Sequence, residues 1–177
     1  MIYYYLLILM IFFVALYDLV YNKILNEIIL VITIISFIYF FIDQGIAGIS
    51  HSILGIISGI SILVFFYAIG VMAAGDVKLM GAVGAALGPS GVIVAFLYSA
   101  VAGGIYALIL IITCRAGDLP KRFWNTLQTF YYTRQLIYDK PQRPDQQVKL
   151  CYGVAIAAGT ILYIVLEMTG KGQLIQF

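Results

Sequence analysis

Apolar residues along this chain neither alternate nor recur with a soluble helix's one-sided period; they run in long blocks. The blocks are Ile2 to Tyr17, Ile28 to Ile42, Ile53 to Met72, Val77 to Leu87, Val92 to Thr113 and Tyr152 to Met168. Most approach the ~20 residues that cross a ~30 Å hydrocarbon layer as a helix, so the pattern predicts an all-α integral membrane protein with six transmembrane helices. The first block lacks a basic n-region and a small-residue cleavage site, and is read as a retained span rather than a signal peptide. The fourth block is short: Asp76 to Gly88 is 13 residues, which as a helix reaches ~20 Å, so Asp76 should lie below the membrane surface or the helix should stop short. Within that block Gly81, Gly84, Ala85 and Gly88 lie four apart in two pairs, which lets a neighbouring helix backbone come close.

Composition supports the lipid bilayer as solvent. Of 177 residues, 63% are hydrophobic and 10% charged, and the mean hydropathy is +1.05, against roughly 25% charged in a soluble domain.

Charge then orients the chain. If the connection around Lys23 faces the cytoplasm, alternation puts Lys78 and the segment 114–150 on the same side. That side holds Lys23, Lys78, Arg115, Lys121, Arg122, Arg134, Lys140, Arg143 and Lys149, and only Lys171 lies opposite. The positive-inside rule therefore predicts both termini outside the plasma membrane. The net charge of +2 adds little to this asymmetry, and nucleic acid is not expected as a partner.

The cytoplasmic loop of about 114–150 is the one sizeable segment between spans. Phe123, Leu127, Phe130, Tyr131 and Ile137 recur at near-helical spacing, with Lys121, Arg122 and Arg134 elsewhere around the turn and Trp124 near the start. This predicts one cytoplasmic interfacial amphipathic helix, followed by a polar loop from Asp139 to Gln147 containing Pro141 and Pro144. No second folded domain or internal repeat is visible, so residues 1–177 read as a single membrane-embedded domain.

Cys114, Cys151 and His51 are the only cysteines and histidine, too few and too far apart for a zinc site. Neither a metal nor a cofactor is expected. Two acids remain in unusual places: Asp18 closes the first block and Asp76 opens the fourth, on the same side of the bilayer. Ionisable groups at such positions are costly and tend to mark function. Two carboxylates brought close enough to share a proton can activate a water and protonate a carbonyl. The plainer alternatives are that Asp76 caps its helix and that Asp18 pairs with Lys23.

The segments Asp18-Leu-Val-Tyr-Asn-Lys23-Ile-Leu-Asn26 and Ala73-Ala-Gly75-Asp76-Val-Lys78-Leu79 resemble the two active-site segments of the type IV prepilin peptidases, the GxGD membrane aspartic proteases. Cys151-Tyr152-Gly153 is similar to that family's Pro-Tyr-Gly stretch at the start of the last span. The three segments stand in family order, and the resemblance covers nearly the whole chain. It implies that Asp18 and Asp76 are the catalytic pair and that Gly75 lets backbone approach the site, with Lys23, Asn26, Lys78, Tyr152 and Gly153 as supporting motif residues. The chain departs from the motif at Ala73, where the first glycine stands, and at Cys151, where the proline stands.

Longer members of that family carry a cytoplasmic insert between the first spans, associated with N-methylation. Here Asp18 and Glu27 are separated by a short connection, so the chain resembles the peptidase-only form of the Flp (tight adherence) pilus systems or its archaeal preflagellin counterpart. The implied substrate is an Flp-type prepilin cut after a leader glycine at the cytoplasmic face. Two other readings stand beside this one: a small transporter or pilus-assembly scaffold using the acids as a proton relay, and a rhomboid-like serine protease built on Ser90 in Gly88-Pro89-Ser90-Gly91 with His51. In the latter case the order of serine and histidine is reversed, and Pro89 and Gly91 more simply make a turn.

Overall fold

The computed structural model describes residues 2–69, 72–113 and 151–169. They form five helical elements: α1 (Ile2–Tyr21), α2 (Asn26–Gln44), α3 (Ile46–Ala68), α4 (Ala74–Thr113) and α5 (Tyr152–Met168). No strand occurs among the described residues. The chain divides into two compact units, one of residues 1–103 with 151–177 and one of residues 104–150. Of the second, only the helical end of α4 is described. The expected amphipathic helix, the polar loop after it, Cys114 and Lys171 all lie outside the described residues.

Four stretches, Ile2–Tyr21, Asn26–Gln44, Ile46–Ala68 and Ala74–Ile109, are long and apolar enough to cross a membrane, and α5 is a shorter apolar helix. Large apolar side chains cover their outer faces; on α1 alone Tyr5, Leu9, Phe12, Phe13, Leu16 and Val20 are exposed. A surface of that kind has no stable place in water but matches lipid tails. The class is that of a multi-pass membrane protein.

The expected and observed boundaries differ most at α3. Its apolar block predicts a start at Ile53, and the helix begins at Ile46, immediately after Gly45. Gly45 has φ 64° and ψ −134°, a conformation that excludes most side chains, and it makes a one-residue turn between α2 and α3. The polar run Ser50-His51-Ser52 interrupts the apolar block yet stays helical. Ser50 donates to the Ala47 carbonyl at 2.7 Å, and a Cβ on Gly48 would run into the backbone of Phe40, so small residues are what let α2 and α3 close together here.

The hydrogen-bonded run of α4 extends over 40 residues but contains a break at Gly88, φ 75° and ψ −178°, just before Pro89. That region of backbone space is essentially open to glycine alone, and the His51 imidazole fills the place a side chain would take. Neighbours on either side give the two arms their direction. Going forward along residues 80, 84 and 88, the first arm meets Gly59, Gly55 and His51 of α3; the second arm, through Gly91, Ser99 and Gly103, meets Tyr163, Gly159 and Ala155 of α5. Each arm therefore runs antiparallel to its partner. Because the starts of α4 and α5 share one end of the bundle (below), the chain doubles back at Gly88.

The first arm is the centre of this unit. Asp76, Val77 and every residue from Leu79 to Ala86 are buried, and Leu79, Met80, Val83 and Ala85 are completely so. Its close approach to α3 is made backbone on backbone: a Cβ on Gly84 would collide with the Gly55 carbonyl, and one on Gly59 with that of Met80. In lipid, where burial of apolar surface gives no advantage to helix association, such close packing supplies the attraction. Gly55→Leu and Gly84→Leu should therefore each lower the melting temperature of the purified protein in detergent, by the equivalent of about 1–3 kcal/mol or more, whereas Gly104→Leu, at a position with open space, should leave it unchanged.

Candidate active site

The buried residues of α1 are Tyr3, Leu7, Ile11, Val14, Ala15 and Asp18. Their three- and four-residue spacing traces one helical stripe, and Asp18 is its last member. The carboxyl thus projects into the bundle because it stands in phase with the packing face. α1 runs one turn past it and ends as Asn22, at φ 52°, donates its N–H to the Asp18 carbonyl at 2.8 Å. Asparagine tolerates this left-handed conformation and commonly ends helices that way.

Asp76 stands in the first turn of α4 and is as buried as Asp18, at 6% against 5% exposure. It is not the N-cap. Its Oδ2 accepts the Ala73 N–H at 3.2 Å, while its own N–H donates to the Ala73 carbonyl at 3.1 Å. Asp76 therefore takes the third helical position and reaches back, like the acidic half of a capping box. A negative charge there also meets the positive end of the helix dipole.

The start of α5 completes the arrangement. The backbone amides of Gly153 and Val154 act on the Asp18 carboxyl, whose Oδ2 has no hydrogen-bond partner among the described residues. A Cβ on Gly153 would come within 2.7 Å of that Oδ2, so the glycine is what lets the helix start approach the acid. The Asp18 charge acts on Asp76, and that of Asp76 acts on Tyr152. Asp18, Asp76, Tyr152 and Gly153 therefore share one end of the bundle, with two helix N-termini directed at two carboxyls.

The other expected residues form a rim. Lys78 and Asn26 are exposed and joined, Nζ donating to Oδ1 at 3.3 Å. Lys23 is exposed, and among the described residues no ion pair links it to Asp18. Gly75 packs on Ile24, whose Cβ lies 3.3 Å from where a glycine Cβ would be. Ala73 has no positive φ, so alanine is unstrained where the resembling motif has glycine. Three residues that sequence reasoning passed over also matter: Ile24, Val154 and Asn22, whose Oδ1 accepts from the Cys151 thiol at 3.3 Å. An asparagine after the apolar run Leu19 to Tyr21 is a visible sign of the turn; the contact across 129 positions is not.

His51 and Ser90 do not form a dyad. The imidazole packs against Gly88 and the Phe40 ring, 5.1 Å between centroids, while Ser90 is exposed and no hydrogen bond joins the two. No group of three or more His, Cys, Asp or Glu side chains among the described residues is arranged to hold a metal ion.

Two buried carboxyls in electrostatic reach, one with a free oxygen, can divide a proton between them: one acts as base toward a water, the other as acid toward a carbonyl oxygen. No curated protein and no solved structure matches the chain. The model of the type IV leader peptidase family matches residues 5–108, a stretch that includes both aspartates and the connection between α1 and α2. The chain belongs to the type IV leader peptidase family and is a peptidase of that kind.

Proposed function

We propose that this peptidase is of the aspartic type, with Asp18 and Asp76 as its catalytic pair, and that it removes the leader of an Flp-type prepilin after a leader glycine at the cytoplasmic face of the plasma membrane. The observation that carries the reading is the burial of these two carboxyls within each other's electrostatic reach, at the starts of α4 and α5. A prepilin substrate follows in general from family membership. The short form, without an inserted domain, is supported by the connection between Tyr21 and Asn26, which has room for nothing else.

In the reaction the ionised carboxyl takes a proton from a water lying between the two. The water oxygen adds to the scissile carbonyl carbon as the second carboxyl gives its proton to the carbonyl oxygen. The tetrahedral diol then collapses: the C–N bond breaks, the amine nitrogen takes a proton from one carboxyl, and a diol hydroxyl returns one to the other. The pair ends with one proton, as it began. The Gly153 and Val154 amides stabilise whichever form of Asp18 carries charge.

The same reading has six spans, with the arms of α4 on either side of Gly88 as the fourth and fifth, and both termini outside. Apart from Lys171, the basic residues then share the cytoplasmic side.

Asp18→Asn and Asp76→Asn should each abolish cleavage of a co-expressed prepilin while the protein accumulates in the membrane; retained processing by either would refute the pair, and a proton-relay transporter predicts that retention. The pH profile of the unmodified enzyme should be bell-shaped, falling at low pH as both carboxyls protonate and no base remains, and at high pH as both ionise and no acid remains. Gly153→Ala, which pushes a methyl onto Asp18 Oδ2, should lower kcat/KM by about tenfold or more with normal protein levels. With Cys114 and Cys151 changed to serine, reporter cysteines near Lys23 and Pro141 should be shielded from an impermeant reagent added to intact cells and one near Lys171 labelled; the reverse pattern would invert the topology.

A further inference from the structure

The five residues from Asn22 to Asn26 touch the two helix starts at three points. At one end Asn22 accepts from the Cys151 thiol, at the position before α5. At the other Asn26 accepts from Lys78, in the second turn of α4. Between them lies the half-buried Ile24. A Cβ on Gly75 would meet its Cβ at 3.3 Å and its Cγ1 and Cδ1 at 3.6 Å, and a Cβ on Gly153 would meet its Cδ1 at 3.1 Å. Ile24 is thus wedged between the residue that precedes Asp76 and the residue that packs on Asp18. Both of those neighbours are glycines, so it rests on bare backbone on either side.

We infer that Ile24 is a positioning residue: a spacer of fixed width between the starts of α4 and α5 that sets the separation of the Asp18 and Asp76 carboxyls. The inference rests on the reading of those two acids as the catalytic pair. A β-branched side chain suits the task because its χ1 is stiff, and backbone faces on both sides transmit its width without the slack of intervening rotamers. Its atoms divide the work unequally: Cβ, Cγ1 and Cδ1 all face Gly75, and Cδ1 alone reaches Gly153. Removing the tip alone frees the α5 side while Cβ and Cγ1 still hold the α4 side, and removing the whole side chain frees both.

The experiment compares unmodified enzyme, Ile24→Ala, Ile24→Val and Ile24→Leu, purified in one detergent and assayed across pH on a prepilin that the unmodified chain cleaves. Ile24→Ala should lower kcat about tenfold or more with KM within about twofold, uniform binding being untouched. The acid and alkaline limbs of its profile should move relative to each other, because the coupling between two titrating groups depends on their separation. Ile24→Val, lacking only Cδ1, should fall between, and Ile24→Leu, of equal volume, should recover most of the rate.

A wild-type rate and profile in Ile24→Ala would overturn the inference, and so would a loss of rate with unmoved limbs, which is what a purely structural residue gives. Should the alanine variant fail to accumulate, the limbs of Ile24→Val decide in the same way. Asp18→Asn and Asp76→Asn in the same assay separate the two levels: if both are inactive and Ile24→Ala is normal, only the spacer falls; if either cleaves, the pair falls and the spacer with it.

Discussion

A carboxyl inside an apolar bundle has almost nothing to exchange for its lost water, and the architecture of this protein follows from supplying a substitute. The only concentrated source of positive potential in such a bundle, where the described basic side chains stand at its rim, is the free amides at a helix start. The chain brings two such starts to one place. α4 begins at Ala74, two residues before Asp76, whose carboxyl takes the Ala73 amide; α5 begins against Asp18, on which the amides of Gly153 and Val154 act. This demands that α1 end where α4 and α5 begin, so the chain between must return to the same end. The break at Gly88 provides that return, and the one-residue turn at Gly45 keeps α2 and α3 in step with it.

Helix association in lipid lacks the hydrophobic drive of water, so the geometry depends on close backbone contact. The Gly55–Gly84 and Gly59–Met80 contacts hold the first arm of α4 along α3, and the Gly159–Ser99 contact holds the second arm along α5, where the Ser99 hydroxyl also donates to the Ala95 and Ile156 carbonyls. At the opposite end from the acids, Tyr3 stacks on Tyr39 at 4.0 Å and donates to Ser36, tying α1 to α2. These contacts leave little freedom to the helix that carries Asp76. Rigidity of this kind is what a pair of carboxyls sharing one proton requires, since their coupling changes steeply with distance in a poorly screened medium.

Much of this was legible in the residues, for physical reasons that also mark the limit. Blocks of apolar side chains announce spans because length against bilayer thickness is a one-dimensional property. Asp18 stands out in the sequence because an acid in an apolar block is expensive, and its phase with Leu7, Ile11 and Val14 is written in the spacing. The plainer alternative for Asp76, an N-cap, does not hold: the helix begins earlier, at Ala74, and the carboxyl reaches backward to the Ala73 amide. The start of α3 lies outside its apolar block because Ser50, His51 and Ser52 turn inward or onto their own backbone and leave the helix intact. Ile24 could not be seen at all. One isoleucine among many becomes singular only when two glycines, one 51 positions on and one 129, are folded against it.

The two departures from the family motif have a local physical account. Proline at position 151 would fix φ near −65°, and Cys151 adopts φ −75° without it. A helix start needs no N–H there in any case, so what cysteine gives up is only the preset angle. In return its thiol reaches Asn22, the left-handed residue that ends α1, and that hydrogen bond holds the same junction that a rigid ring would have held by constraint. Ala73 has negative φ and contributes its backbone, not its side chain, to Asp76. The first position of the motif therefore does not require glycine, whereas Gly75 and Gly153, each with Ile24 against its bare backbone, are where a side chain would separate the helices that bear on the two acids.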